Sequence, residues 1–135
     1  MDNLTPSQRS ERMRLVRSSD TKPEVLLRRL VWSLGYRYRK NRSDLIGNPD
    51  LAFISRKRAI FLHGCFWHRH QCPAGTRKPK SRIDFWATKF ERNVRRDAAV
   101  MKQLKSAGWR ALVIWECQLT NTSRVERRVQ RFLDA

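Results

Sequence analysis

The sequence predicts a single α/β domain in which a mixed central sheet is flanked by helices, and three observations lead there. Hydrophobic periodicity runs helix, helix, three strands, helix, strand, helix, an order that lays helices against a sheet. The chain has 135 residues, 40% of them hydrophobic and five of them tryptophan, which suffices for one core. No internal repeat or low-complexity linker divides it. The expected organisation is a basic N-terminal arm over residues 1–19 and one folded domain over residues 20–135.

The elements follow in order. Thr-Pro-Ser-Gln at 5–8 reads as a capping box with proline in the first helical position, so a helix is expected to start there. Residues 9–17 are mostly basic, with only Met13, Leu15 and Val16 apolar. That stripe is too thin to hold a helix on a core and suits an arm that orders on phosphate. Thr-Lys-Pro-Glu at 21–24 is a second capping box. Val25, Leu26, Leu27, Leu30, Val31 and Leu34 then recur at helical spacing, and Gly35 takes the C-terminal cap. Glu24 has two readings: it only completes the cap, the more frequent role, or it also faces the site as an acid or metal-shell group.

Tyr-Arg-Tyr-Arg at 36–39 alternates as a short strand does. Asn48-Pro49 forces a turn, a strand opens at Asp50 and runs to Ile54, and Ser-Arg-Lys-Arg at 55–58 leads into the apolar strand 59–62. Two strands so joined form an antiparallel hairpin. Asp50 then lies at the end of the hairpin where the next strand delivers His63. An aspartate after proline is often only a turn residue, but this placement gives its carboxylate a reason to bind metal. Beyond a Pro-, Gly- and Lys/Arg-rich loop over 73–80, Ser81 is expected to cap a long helix. Its apolar positions include Ile83, Trp86, Phe90, Val94, Met101 and Leu104, and it ends before Gly108. Residues 109–115 form an apolar strand with Cys117 just past its end, and a closing helix spans 122–133.

Thirty Lys and Arg against twelve Asp and Glu give a formal charge of +18 and a pI near 11.4. Self-repulsion of that size opposes compaction, and a polyanion, above all nucleic acid, is the partner it suits. No apolar run approaches the ~20 residues of a membrane span, and the N-terminus lacks the hydrophobic region of a secretion signal. Three cysteines, an odd number, argue against a disulfide framework and for a reducing compartment. A cytoplasmic, nucleoid-associated protein without a membrane partner is expected.

The chemistry concentrates in residues 63–72, His-Gly-Cys-Phe-Trp-His-Arg-His-Gln-Cys, which hold all three histidines and two of the three cysteines. Thiolate sulfur and imidazole nitrogen are the ligands of tetrahedral zinc, and a structural site uses four. Cys65, Cys72 and Cys117 supply three, and one of the histidines closes the shell. The others are left as proton-transfer groups near neutral pH. Phosphodiester hydrolysis also needs a hard cation on carboxylate oxygen, for which Asp50 is the candidate and magnesium the ion. Phe66-Trp67 and Phe85-Trp86 are adjacent pairs that cannot all enter one core, so some face outward, as wedges that open a duplex do.

Four stretches together carry a resemblance. They are 61–72, Asn-Pro-Asp at 48–50, Asp-Phe-Trp-Ala-Thr-Lys-Phe-Glu-Arg-Asn-Val-Arg-Arg-Asp at 84–97 and Gly-Trp-Arg-Ala-Leu-Val-Ile-Trp-Glu-Cys at 108–117. With Arg12-Met13-Arg14 and Ser-Asp-Thr-Lys-Pro-Glu at 19–24, the chain resembles the very short patch repair endonucleases over nearly its whole length. The resemblance implies a restriction-endonuclease-like fold and an enzyme, expected as a monomer, that acts on double-stranded DNA. That enzyme nicks on the 5′ side of the thymine in a T:G mismatch, the product of 5-methylcytosine deamination, in a magnesium-dependent reaction. It further implies Asp50 as magnesium ligand, His68 as general base or acid, and Glu24 and His63 as supports of the hydrated metal. Zinc falls to Cys65, His70, Cys72 and Cys117. Phe66, Trp67 and Trp86 become the wedge, Met13 presses from the minor groove, and Lys89 and Asn93 read base edges. Accessory repair proteins are candidate partners.

This chain departs from the family pattern at Leu62, where the best-known member has threonine at a metal-contacting position. A backbone carbonyl coordinates a hard cation whatever the side chain, so magnesium binding by Leu62 through its carbonyl is expected to survive. The histidine run is interrupted by Arg69 and Gln71, and no Glu-x-Lys follows Asp50, which favours a histidine-centred reaction. The rival readings are a zinc-stabilised DNA-binding module without catalysis and a nuclease of the same fold acting on undamaged DNA.

Overall fold

The computed structural model describes residues 21–40 and 44–134. The expected helix from Thr5, Met13 and the arm over 1–19 lie outside the described residues. The order is helix α1 (Lys22–Ser33), strands β1 (Arg39–Lys40), β2 (Leu51–Phe53) and β3 (Arg58–His63), helix α2 (Ile83–Ser106), strand β4 (Arg110–Trp115) and helix α3 (Thr122–Asp134). The sheet order is β1-β2-β3-β4; the first two pairings are antiparallel and β3–β4 is parallel. A parallel pair needs a long crossover, and α2 supplies it.

Strand periodicity sorts the sheet into two faces. Leu51, Phe53, Ile60 and Ile114 meet Leu27, Leu30 and Val31 of α1 and Val125, Val129 and Leu133 of α3 in the larger core. The alternate residues Ala59 and Phe61 meet Leu104 of α2, with Val100, Met101, Trp109, Ala111 and Val113 packed against them. Each fully buried aliphatic side chain contributes about 1.5–3 kcal/mol by leaving water. The same parity carries Asp50, His63 and Trp115 to the α2 face.

The start of α1 is as its capping box predicts: Thr21 Oγ1 accepts from the Glu24 amide at 3.5 Å, and Gly35 adopts φ +96° after the last turn. Other boundaries move. Only Arg39–Lys40 pairs with β2, although the alternation before it is real. Tyr36 and Tyr38 point inward, where their hydroxyls donate to Asp134 Oδ1 at 2.5 Å and the Arg28 carbonyl at 3.2 Å. Strand β2 stops one residue early, because Ile54–Arg56 forms a 3₁₀ turn closed by Lys57 at φ 53°. Ser81 does not cap α2. Arg82 does, at φ 53° and with no side-chain cap bond. Ile83 and Val94 of that helix are 65% and 47% exposed, because α2 buries only a narrow stripe against an already two-layered sheet. Among the described residues no helix is long and apolar enough to cross a membrane.

Candidate active site and metal centre

The parallel register builds the first centre. His63 pairs with Trp115 at the ends of β3 and β4. Cys65 and Cys117 each stand two residues beyond that pair, so two sulfurs 52 positions apart in sequence emerge side by side. The Cys117 amide donates to Cys65 Sγ at 3.4 Å. The loop after β3 folds back to bring His70 and Cys72 to the same point, and ligand atoms of Cys65, His70, Cys72 and Cys117 all lie within 4.8 Å of one another.

This donor set fits a tetrahedral ion. Zinc with ligands at ~2.3 Å (S) and ~2.0 Å (N) sets them about 3.5–3.8 Å apart, and Cys117 Sγ lies 3.5 Å from His70 Nδ1. Two sulfurs accept backbone amides, Cys65 from Cys117 and Cys72 from Gly75 at 3.4 Å, and the Gly75 bond lowers the Cys72 pKa. Burial and neighbouring sulfur push the Cys65 thiol up to about 12, so its ionisation needs a cation in the cluster. A Cβ on Gly75 would lie 1.8 Å from the His70 carbonyl oxygen, so only glycine lets the loop close here. Trp115 stacks on His70 with centroids 4.2 Å apart, fixing the ring.

The second centre lies in a cleft of about 480 Å³ on the α2 face, lined by Asp50, Leu62, His63, His68, Arg96 and Asp97 among others. Its wall includes Gly47, whose φ of +78° and 2.3 Å Cβ-to-Val100 distance exclude a side chain. Asp50 and His68 thus face one space. Asp50 Oδ2 accepts from the Leu62 amide at 2.6 Å. Burial raises its pKa to about 6, partly offset by that amide, and the charge of Glu24 raises it further. Glu24 itself pairs with Arg28 at 3.6 Å. A partly desolvated carboxylate with a second acid beside it is a site that a divalent cation relieves.

His63 and His68 stack in parallel, centroids 4.0 Å apart and planes 7° from coincident. Burial, then the neighbouring His68, lowers His63 to about 4, so it is neutral at pH 7. His63 Nδ1 is buried without a hydrogen-bond partner. His68 Nδ1 lies 2.6 Å from Asp97 Oδ2. A carboxylate oxygen only accepts, so Nδ1 carries the hydrogen and Nε2 is the nitrogen left for proton transfer. Ligand atoms of His63, His68 and Asp97 also lie within 4.8 Å of one another. Parallel stacked rings, however, direct their in-plane lone pairs side by side rather than at one ion, so the arrangement suits proton transfer.

Asp97 was missed as a site residue in the sequence, though a signal existed. It sits seven residues after Phe90 and three before Val100, an acid on the buried stripe of an otherwise polar helix. Phe66, Trp67, Phe85, Trp86 and Phe90 form one chain of rings with neighbouring centroids 5.1–6.0 Å apart. Phe90 is the buried root at 7% exposure, while Trp67 and Phe85 are 39% and 46% exposed. Lys89 Nζ lies 5.1 Å from the Trp67 centroid, and Asn93 Nδ2 donates to the Trp67 carbonyl at 3.0 Å. Cys65, His70, Cys72 and Cys117 thus come together in the first centre and Asp50, Leu62, His63 and His68 in the cleft, while Phe66, Trp67 and Trp86 lie on the aromatic ridge with Lys89 and Asn93 beside it; Met13 lies outside the described residues.

Comparison with known proteins matches this sequence to one family. The sequence model of the DNA mismatch endonuclease Vsr family covers residues 1–74. The type II nicking enzyme V.XorIIP of Xanthomonas oryzae is 45% identical over 133 residues, 98% of this chain and 97% of its own. V.NmeAIP of Neisseria meningitidis, also a type II nicking enzyme, is 40% identical over 98% of this chain and 94% of its own. The DNA mismatch endonuclease Vsr of Escherichia coli is 37% identical over 117 residues, 87% of this chain and 74% of its own. With the length, the motifs and the family model in agreement, the chain belongs to the Vsr family of DNA mismatch endonucleases.

Proposed function

We propose that this protein is a magnesium-dependent DNA mismatch endonuclease that nicks one strand on the 5′ side of the thymine in a T:G pair. The observation that carries the reading is the shared cleft. A desolvated Asp50 and a His68 oriented by Asp97 face the same space, beside a ridge of half-exposed aromatics. A DNA-binding module has no use for the first two. Asp50 and the Leu62 carbonyl would hold a magnesium ion, with Glu24 and His63 supporting it. When bound, such an ion would supply positive charge against the phosphate and lower the pKa of water. His68 moves the proton at Nε2, while Asp97 keeps the ring in one tautomer and stabilises its charged form. Neutral His63, stacked on His68, aligns that ring.

Zinc would be held by Cys65, His70, Cys72 and Cys117, and would fix the loop that carries both His68 and the wedge residues Phe66 and Trp67. Trp86 backs the wedge, Lys89 and Asn93 stand beside it to read base edges, and Met13 on the arm acts from the minor groove. The deciding experiment uses end-labelled duplexes that are identical except for one T:G or C:G pair, with Mg²⁺ present. A single nick 5′ of the mispaired thymine is expected, falling steeply with salt as phosphate contacts dictate. Equal cutting of both duplexes would end the repair reading in favour of a nuclease for undamaged DNA.

A further inference from the structure

The reacting cleft has one permanent cation among its described lining residues, and the reaction scheme above leaves it without work. Arg96 projects from the middle of α2 into the space shared by Asp50, His63, His68 and Asp97. It is exposed, and its charge is close enough to His63 to disfavour that ring's protonation. The nearby carboxylate does not claim it: Asp97 is turned to His68 at 2.6 Å, and the bond of Arg96 is a long 3.4 Å contact from Nη2 to Asn93 Oδ1. Among the described residues the guanidinium therefore keeps most of its donors open. Arg96 also lines the adjoining groove on α2 with Phe85, Lys89, Arg92 and Asn93, which runs from the aromatic ridge to the cleft. It stands where the two spaces meet.

We propose that Arg96 is a catalytic residue that holds the scissile phosphodiester, its planar fork donating to the non-bridging oxygens as negative charge grows on them. Guanidinium geometry matches a phosphate with two parallel hydrogen bonds, and it stays charged at any working pH. Donors preset at the place where charge develops are worth about 10²–10³ in rate each. The assignment rests on the endonuclease reading and adds to it a residue that neither the cysteine–histidine cluster nor Asp50 predicts.

Its neighbour supplies the control. Arg95 is on the same helix, equally charged, and spent on Glu91 in an exposed i,i+4 pair, outside the cleft. Arg95→Gln and Arg96→Gln remove the same charge from the full-length protein, so any loss of general attraction to DNA is common to both. Single-turnover nicking of a T:G duplex at saturating enzyme should fall about 100-fold or more for Arg96→Gln and less than about threefold for Arg95→Gln. Arg96→Lys should recover part of the loss. Millimolar guanidinium should rescue Arg96→Ala, a response that a structural role would not give. Equal rates for the two glutamine variants, or no rescue, would overturn the assignment while wild-type nicking left the enzyme reading intact. Failure of the wild type to nick the mismatch would overturn both.

Discussion

Asp50→Asn should make this protein more stable and inactive at once. The carboxyl is raised from 3.8 to about 6, chiefly by burial. The native state therefore binds a proton more readily than the unfolded chain, and the sign follows from linkage. The contribution of Asp50 to stability is greatest below pH 3.8, falls as pH rises through about 6, and above that carries the full cost of a buried charge. The span from 3.8 to about 6 corresponds to about 3 kcal/mol. Asparagine is nearly isosteric, and its Oδ1 can still accept the Leu62 amide that Asp50 Oδ2 accepts at 2.6 Å. Little is lost on the other side.

Without divalent metal at pH 7.5, Asp50→Asn should thus gain about 2–3 kcal/mol, roughly 5–12 °C in Tm for a chain of this size. The gain should shrink toward zero below about pH 4. Urea or thermal melts at the two pH values measure it. Millimolar Mg²⁺ should raise the wild-type Tm and leave the variant where it is, because a ligand stabilises only the state that binds it. A variant at pH 7.5 no more stable than wild type, or equally shifted by Mg²⁺, would refute the view that Asp50 is a strained carboxylate awaiting a cation.

Three further outcomes are expected. Gly75→Ala, whose Cβ would lie 1.8 Å from the His70 carbonyl, should abolish the binding of one zinc per chain and lower Tm, as measured by metal analysis and melting; full zinc occupancy would sink the closure argument. Asp97→Asn should slow single-turnover nicking about 10–100-fold, the worth of a charge-assisted hydrogen bond of ~1.5–3 kcal/mol, with duplex affinity within about twofold of wild type. Trp67→Ala, removing a 39% exposed ring, should weaken binding to a T:G duplex by about 5–100-fold, from ~1–3 kcal/mol of stacking, and matter less on a matched duplex; fluorescence anisotropy compares the two.

Sequence reading went furthest where local chemistry dictates structure. The capping box at Thr21, the apolar stripe of α1, the proline-led turn before Asp50 and the apolar runs of β3 and β4 all carry their own instructions, and each forms where expected. The errors sit where tertiary packing overrides local preference. Ser81 has the right side chain for a cap, yet Arg82 takes the position because the loop leaves the metal centre in a left-handed turn. Val94 fits a helical stripe and is nonetheless exposed, since it is Val100, Met101 and Leu104 of α2 that meet Ala59 and Phe61 of the sheet. Arg96 was invisible, and Asp97 signalled only by its place on the buried stripe, for a related reason. A charged residue on a basic helix reads as solvated until the fold shows which of them overhang a cleft.

The cysteines show how far composition can go and where topology must take over. That three sulfurs and a histidine form a centre is suggested by residue type alone, but nothing in a spacing of 52 residues says that Cys117 meets Cys65. The parallel register says it. With His63 opposite Trp115, any residue two places past each strand end must emerge on the same side, about one inter-strand spacing away. An antiparallel pairing of the same two strands would have sent Cys117 to the far edge of the sheet. The crossover helix that makes the pairing parallel is α2, the same element that brings Asp97 to His68 and Arg96 to the cleft. Metal knuckle and reacting cleft are therefore two products of one connection. A substitution that unseats α2 from the sheet, such as Leu104→Ala beneath its last turns, should weaken zinc retention and nicking together, at a cost of about 2–5 kcal/mol in stability. Loss of one function with the other untouched would show that the two centres are held independently.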